Sequence, residues 1–108
     1  MNIHKHRWSN VYESSEEELI AHLASRQITA TRWTAQEFEQ CPERELAQPT
    51  DVWLAEGSAH FTVGGKRYSM QPGDSIRMPA SASLQVTAGM SGCACYEAVV
   101  RSSAPNQS

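Results

Sequence analysis

WLAEGSAHFTVGGKRYSMQPGDSIRMPASASLQV, residues 53–86, is a run of short apolar and mixed segments cut by turn residues. Ala59, Phe61 and Val63 alternate with Ser58, His60 and Thr62, the period-2 signature of a strand buried on one face. Gly64-Gly65, between that run and Lys66–Met70, signals a two-residue hairpin, because both central residues accept positive φ. Pro72-Gly73-Asp74 supplies a second turn. The next strand, Ser75–Met78, stops at Pro79, which has no N–H to donate to a ladder. Glu56-Gly57 reads as a break before the first of these strands. Short antiparallel strands with turns this close together predict a small barrel or sandwich.

Working outward, the whole chain has 108 residues, enough for one core and one domain. A formal charge of −3 without a basic run gives no electrostatic footprint for nucleic acid or an anionic membrane. No apolar run reaches the length of a membrane span. The opening MNIHKHRWSN lacks the apolar core of a signal peptide, so the expected location is the cytoplasm. Cys41, Cys93 and Cys95 are an odd number of cysteines and read as reduced thiols.

Before the central stretch, residues 1–13 show no period; His4 and His6 read as part of a solvated terminus more readily than as a surface metal pair. A helix is predicted over 14–27, capped by Ser14 or Ser15 and opened by Glu16, Glu17 and Glu18, whose charges suit the helix dipole. Leu19, Ile20, Leu23 and Ala24 form its apolar stripe, and His22 is read as a solvent-exposed partner of Glu18. Ile28–Ala35 is the first expected strand, and 36–49 is an irregular crossing into the barrel. After it, a turn at Ala88–Gly92 leads to a last strand, Cys93–Val100, and residues 101–108 form a polar, disordered tail. One helix (14–27), then about eight strands within 28–100, make the domain mostly β.

Leu54-Ala55-Glu56-Gly57, Gly65, Pro72-Gly73-Asp74 and Met78-Pro79-Ala80 stand at the spacing of a known turn code. In this the chain resembles the cupin superfamily in its small single-domain form, over roughly residues 37–98. The resemblance implies a double-stranded β-helix, that is, a jelly-roll barrel. It also implies a metal site, held by a His-x-His pair and a Glu before the first glycine and a further His after the Pro-Ala-Gly turn. Those positions fall here on Arg44, Leu46, Thr50 and Leu84, and the family's last glycine is Ser81. Two hydrocarbon side chains, a guanidinium and a neutral hydroxyl do not make a transition-metal site.

Substitute ligands are weak. Asp51 replaces Thr50 only if the strand slips by one residue. His60 has the parity opposite to Ala59, Phe61 and Val63 and so faces away from the interior. Cys93 and Cys95 share one face of a strand, with Cα atoms about 7 Å apart, and Cys41 joins them only if its loop folds inward; burial as small hydrophobes is the preferred reading. No metal and no cofactor are therefore expected.

With Thr50 inward, Val52, Leu54, Phe61, Val63, Met78 and Leu84 share its face. The interior is then either packed core or a pocket lined by Arg44, Thr50, Leu54, Phe61, Met78 and Leu84, with Arg44 available to pair an acid group on a small organic ligand. Trp53 faces the other way, under the helix or in a subunit contact. Small cupins are commonly homodimers, so the resemblance implies that assembly. The expected function is a metal-free cupin that binds or senses a small molecule, or a structural homodimer. The alternatives are a metal-dependent oxygenase or isomerase with unusual ligands, and a metal-independent epimerase type. The last needs a His/Tyr pair, and Tyr68 and Tyr96 have no evident histidine partner.

Overall fold

The computed structural model describes residues 3–7 and 16–100. The expected Ser14 or Ser15 cap and the expected tail 101–108 lie outside the described residues. The elements are β1 (His4–Arg7), α1 (Glu16–Ser25), β2 (Thr31–Ala35), β3 (Arg44–Glu45), β4 (Thr50–Val63), β5 (Lys66–Met70), β6 (Asp74–Met78) and β7 (Ser83–Val99). Among the described residues the protein is mostly β, with one helix, between β1 and β2, and a seven-stranded antiparallel sheet.

Two expected strand ends are absent. Glu56-Gly57 does not break the chain: β4 is a single strand of 14 residues, and its register against β7 shifts between Leu54 and Glu56 and again between Gly57 and Ala59. Ala88–Gly92 is not a turn either, because β7 runs unbroken for 17 residues. The physical reason is the close approach of Gly57 to Gly92. Gly57 has φ +79° and Gly92 φ +73°, and a Cβ on Gly57 would run into the Gly92 carbonyl oxygen. These glycines bend a strand pair at irregular register, as bulges do, where sequence alone reads them as termini.

That bend makes two layers from one sheet. Residues Thr50–Trp53 of β4 pair with β6, which pairs with β1, while Cys93–Glu97 of β7 pair with β2. Ala59–Val63 of β4 pair with β5, while Ser83 and Leu84 of β7 pair with β3. One layer is thus β1-β6-β4-β7-β2 and the other β5-β4-β7-β3. They face each other: Trp33 of the first and Phe61 of the second have ring centroids 6.5 Å apart. Val52, Leu54, Ile76 and Met78 of the first layer and Phe61, Val63, Met70 and Leu84 of the second are buried in one core. Each such side chain contributes roughly 1.5–3 kcal/mol by leaving water.

The crossing 36–49 is more ordered than expected. It carries β3 and a bridge from Gln40 to Thr87, and the Cys41 N–H donates to the Val86 carbonyl at 2.8 Å. It therefore runs along β7 as the edge of the second layer. The turns behave as their residues dictate: Gly64-Gly65 joins Val63 to its partner Lys66, and the Asp74 N–H donates to the Gln71 carbonyl at 2.9 Å across Pro72-Gly73. Ser81, at the family's glycine position, holds φ +70°.

The helix covers the outer face of the first layer. Leu19 and Leu23 are buried against Trp53, Ala55 and Ala98. Ile20, expected in the same stripe, is 48% exposed, and Ala24 is exposed as well. A ten-residue helix lying on a sheet buries a single i, i+4 line. Trp53 sits beneath the helix. The Glu16 carboxylate pins it there, accepting from Arg32 Nε at 2.6 Å and from Tyr96 Oη at 2.5 Å. Those two hydrogen bonds, Arg32 first, hold the Glu16 carboxyl below its usual range.

Candidate functional site

Along β7 the inward positions are Leu84 and Val86 before the bend and Cys93, Cys95 and Glu97 after it. All but the last belong to the core. The interior closes where strands pair, but β2 and β3 are layer edges attached to different halves of β7 and do not pair with each other. Between them lies a cavity of about 810 Å³. Its walls are apolar at Leu84, Val86 and Trp33, and polar at Thr31, Glu43, Arg44 and Glu97.

Glu97 is the polar centre. Its Oε1 accepts from the Trp33 indole Nε1 at 3.1 Å and from Arg44 Nη2 at 2.5 Å. β2 places Trp33 opposite Cys95, and β3 places Arg44 opposite Leu84, so both side chains share the inward face. The carboxylate is 21% exposed and the guanidinium 49%. Arg44 thus reaches the cavity with N–H groups beyond the one given to Glu97. Glu43 accepts a hydrogen bond from the Ser83 hydroxyl at the rim. Cys41 lines the same wall, and burial, then the charge of Glu39, pushes its thiol above its ordinary range.

Of the six residues expected to line a pocket, Arg44 and Leu84 do so. Leu54, Phe61 and Met78 are fully buried core. Thr50 is buried, with its hydroxyl donating to the Gln48 carbonyl at 2.8 Å. Leu46 is buried too. Sequence reading missed Glu97 and Trp33. Glu97 follows Cys95 by two residues on a face already read as inward, and that spacing was the available signal. Nothing in the sequence joins it to Trp33, which strand pairing brings from 64 residues away.

The residues at the usual ligand positions do not fit a transition metal. Leu46 and Leu84 offer no donor atom, the Thr50 hydroxyl is committed to Gln48, and Arg44 brings a positive charge. The substitutes do not gather either. Asp51 faces outward in a bidentate pair with Arg77, at 2.8 Å for both bonds. His60 is exposed and hydrogen-bonded to Ser69 at 3.2 Å. Cys93 and Cys95 are buried side by side in the core, where the hydrogen bond that the Cys95 thiol donates to Cys93 and then burial push the Cys95 thiol up. Among the described residues no three His, Cys, Asp or Glu side chains group as metal ligands would. Tyr96 is bonded to Glu16 on the outer face, and the Tyr68 ring meets the Lys66 ammonium at 5.6 Å. Among the described residues no helix is long and apolar enough to cross a membrane.

No protein-family model and no curated protein sequence matches the chain. Solved structures do. A DUF861 family protein from Thermotoga maritima is 12% identical with a TM-score of 0.62, covering 92% of this chain and 100% of that one. A cupin superfamily protein from Desulfitobacterium hafniense is 13% identical with a TM-score of 0.58, covering 93% and 79%. Acireductone dioxygenase from Bacillus anthracis, solved with a cadmium ion in its active centre, is 15% identical with a TM-score of 0.63, covering 93% and 79%. At these identities the likeness concerns backbone architecture. The two layers, their shared bent strands and these matches agree: this chain has the small cupin fold.

Proposed function

We propose that this protein is a metal-free cupin that binds a small organic molecule between the β2 and β3 edges. The observation that carries the reading is the Trp33–Glu97–Arg44 group inside an apolar-walled cavity of about 810 Å³, which lies within the usual span of ligand sites. An aromatic wall, one carboxylate and a half-exposed guanidinium suit a ligand with an apolar body and a single polar end. An acid group on that end pairs with the free edge of Arg44; a hydroxyl or amine donates to Glu97.

The test is a thermal-shift screen of small organic acids, phenols and sugar acids, followed by calorimetry on the wild type, R44A and E97Q. Binding that falls at least about tenfold in either variant supports the reading, since a charge-assisted hydrogen bond is worth roughly 1.5–3 kcal/mol. Elemental analysis of untagged protein is the second arm. One mole of iron, zinc, nickel or manganese per chain overturns the metal-free reading in favour of a metal-dependent oxygenase or isomerase. A homodimer in the cytoplasm is the proposed setting. Phe38 and Met90, 67% and 73% exposed, support self-association, and the Phe38 N–H to Gly89 carbonyl hydrogen bond sets them side by side. A monomeric mass at micromolar concentration removes the dimer.

A further inference from the structure

On the outer face of the first layer, away from the cavity, a cleft of about 230 Å³ opens between the end of α1 and strands β4 and β6. Its lining is unusual for a chain of net charge −3. Arg7, Arg26 and Arg77 converge on it, with His22 and Ser75 between them and Trp53 and Ile28 as the apolar floor. Among the described residues the acidic lining is Asp51 alone.

Among the described residues basic side chains outnumber acidic ones there. Arg77 is matched by Asp51 through two hydrogen bonds of 2.8 Å. Arg7 donates to Asp74 at 3.1 Å, but Lys5 also reaches that carboxylate, at 3.7 Å. Among the described residues no carboxylate pairs with Arg26. Its guanidinium lies near enough to His22 to reinforce burial in lowering the imidazole's proton affinity. Positive charges are thus held together against their mutual repulsion, in a recess whose floor is a buried indole. This arrangement serves an anion better than it serves folding.

We propose that this cleft binds a phosphate monoester group, with Arg26 as its principal charge partner and the outer edges of the Arg7 and Arg77 guanidinium groups closing the site. Bidentate guanidinium recognition matches phosphate oxygens. The recess has room for the phosphate and the few atoms that carry it. The group belongs either to a soluble metabolite or to a lipid headgroup, and the chemistry at the site is the same.

The experiment is a ¹⁵N-correlation NMR titration of the full chain with inorganic phosphate and with glycerol 3-phosphate, in chloride buffer at constant ionic strength. Co-sedimentation with phosphatidylcholine vesicles, with and without phosphatidate, runs in parallel. The expected result is saturable shifts at the Trp53 indole and at the Ile28 and Arg77 amides, with those of Trp33 and Glu97 unmoved. In R26A, which loses no carboxylate partner among the described residues, the affinity falls by about fivefold or more. D51N, which relieves Arg77 of its carboxylate, tightens binding. Phosphatidate-dependent sedimentation that is lost in R26A supports the same site with a lipid source. Absence of saturation by all three phosphates, or equal affinity in wild type and R26A, overturns the proposal. Because the cavity reporters Trp33 and Glu97 are read in the same spectra, the outcome is independent of the cavity's own ligand.

Discussion

On the closed side of the barrel interior Leu54, Phe61, Ile76 and Met78 are wholly excluded from solvent, whereas on the open side Arg44 and Glu97 keep 49% and 21% of their side chains exposed. The same two strands supply both. β4 gives the core Val52, Leu54, Phe61 and Val63 along its length, while β7 gives Leu84 and Cys95 to the core and Glu97 to the opening. The difference arises from pairing. Where β4 has β5 and β6 as neighbours, side chains from the two layers interdigitate and exclude water. Where β2 and β3 end their layers without meeting, the interior stays open, and polar groups there need not pay full desolvation. Stability resides in one region of this barrel, and the proposed recognition in the other.

Substitutions on the two sides should separate those properties. F61A removes a fully buried ring on the closed side and is expected to cost about 3–5 kcal/mol in urea unfolding. G57A places a Cβ against the Gly92 carbonyl at positive φ; on the order of 3 kcal/mol is expected, and intact stability would show that the bend does not hold the layers together. R44A and E97Q on the open side should each change stability by about 1 kcal/mol or less, while abolishing ligand-induced thermal shifts. Equal losses at Phe61 and Glu97 would erase the distinction.

Two weaker effects sharpen it. The Glu16 carboxyl is held low in the folded protein by Arg32 and Tyr96, so the unfolded chain takes up its proton first as pH falls. Its contribution is complete above the unfolded-state value of about 4.3 and is lost as pH falls through the lower folded value. E16Q should flatten the slope of stability against pH in that acid window and leave the slope near neutral pH the same in both proteins. Finally, iodoacetamide under native conditions should label Cys41, which lines the open cavity, before Cys95, which is fully buried. Prompt labelling of Cys95 would mean the closed side opens readily.

Much of the scaffold was legible because turn chemistry is local. Gly64-Gly65, Pro72-Gly73-Asp74 and the alternation around Phe61 each act within a few residues, and the structure carries all three where they were read. Gly57 and Gly92 misled for the same reason. A glycine that permits a close approach looks, in one dimension, like a glycine that ends a strand. Parity sent His60 outward and Thr50, Leu54 and Phe61 inward, where they lie. Parity does not say which inward residues are sealed and which border a cavity, so packed core and pocket both stayed open for Leu54, Phe61 and Met78, which are fully buried.

By itself the sequence determined the mostly-β class, the cupin turn code and the hydrocarbon at former ligand positions Leu46 and Leu84, because these depend on residue identity and short spacing. Only the tertiary structure decided that β4 and β7 run through the bend, that Trp33, Arg44 and Glu97 meet, and that Arg7, Arg26 and Arg77 share a cleft. Those facts depend on which strand edges remain unpaired and on side chains tens of residues apart. No local propensity encodes them.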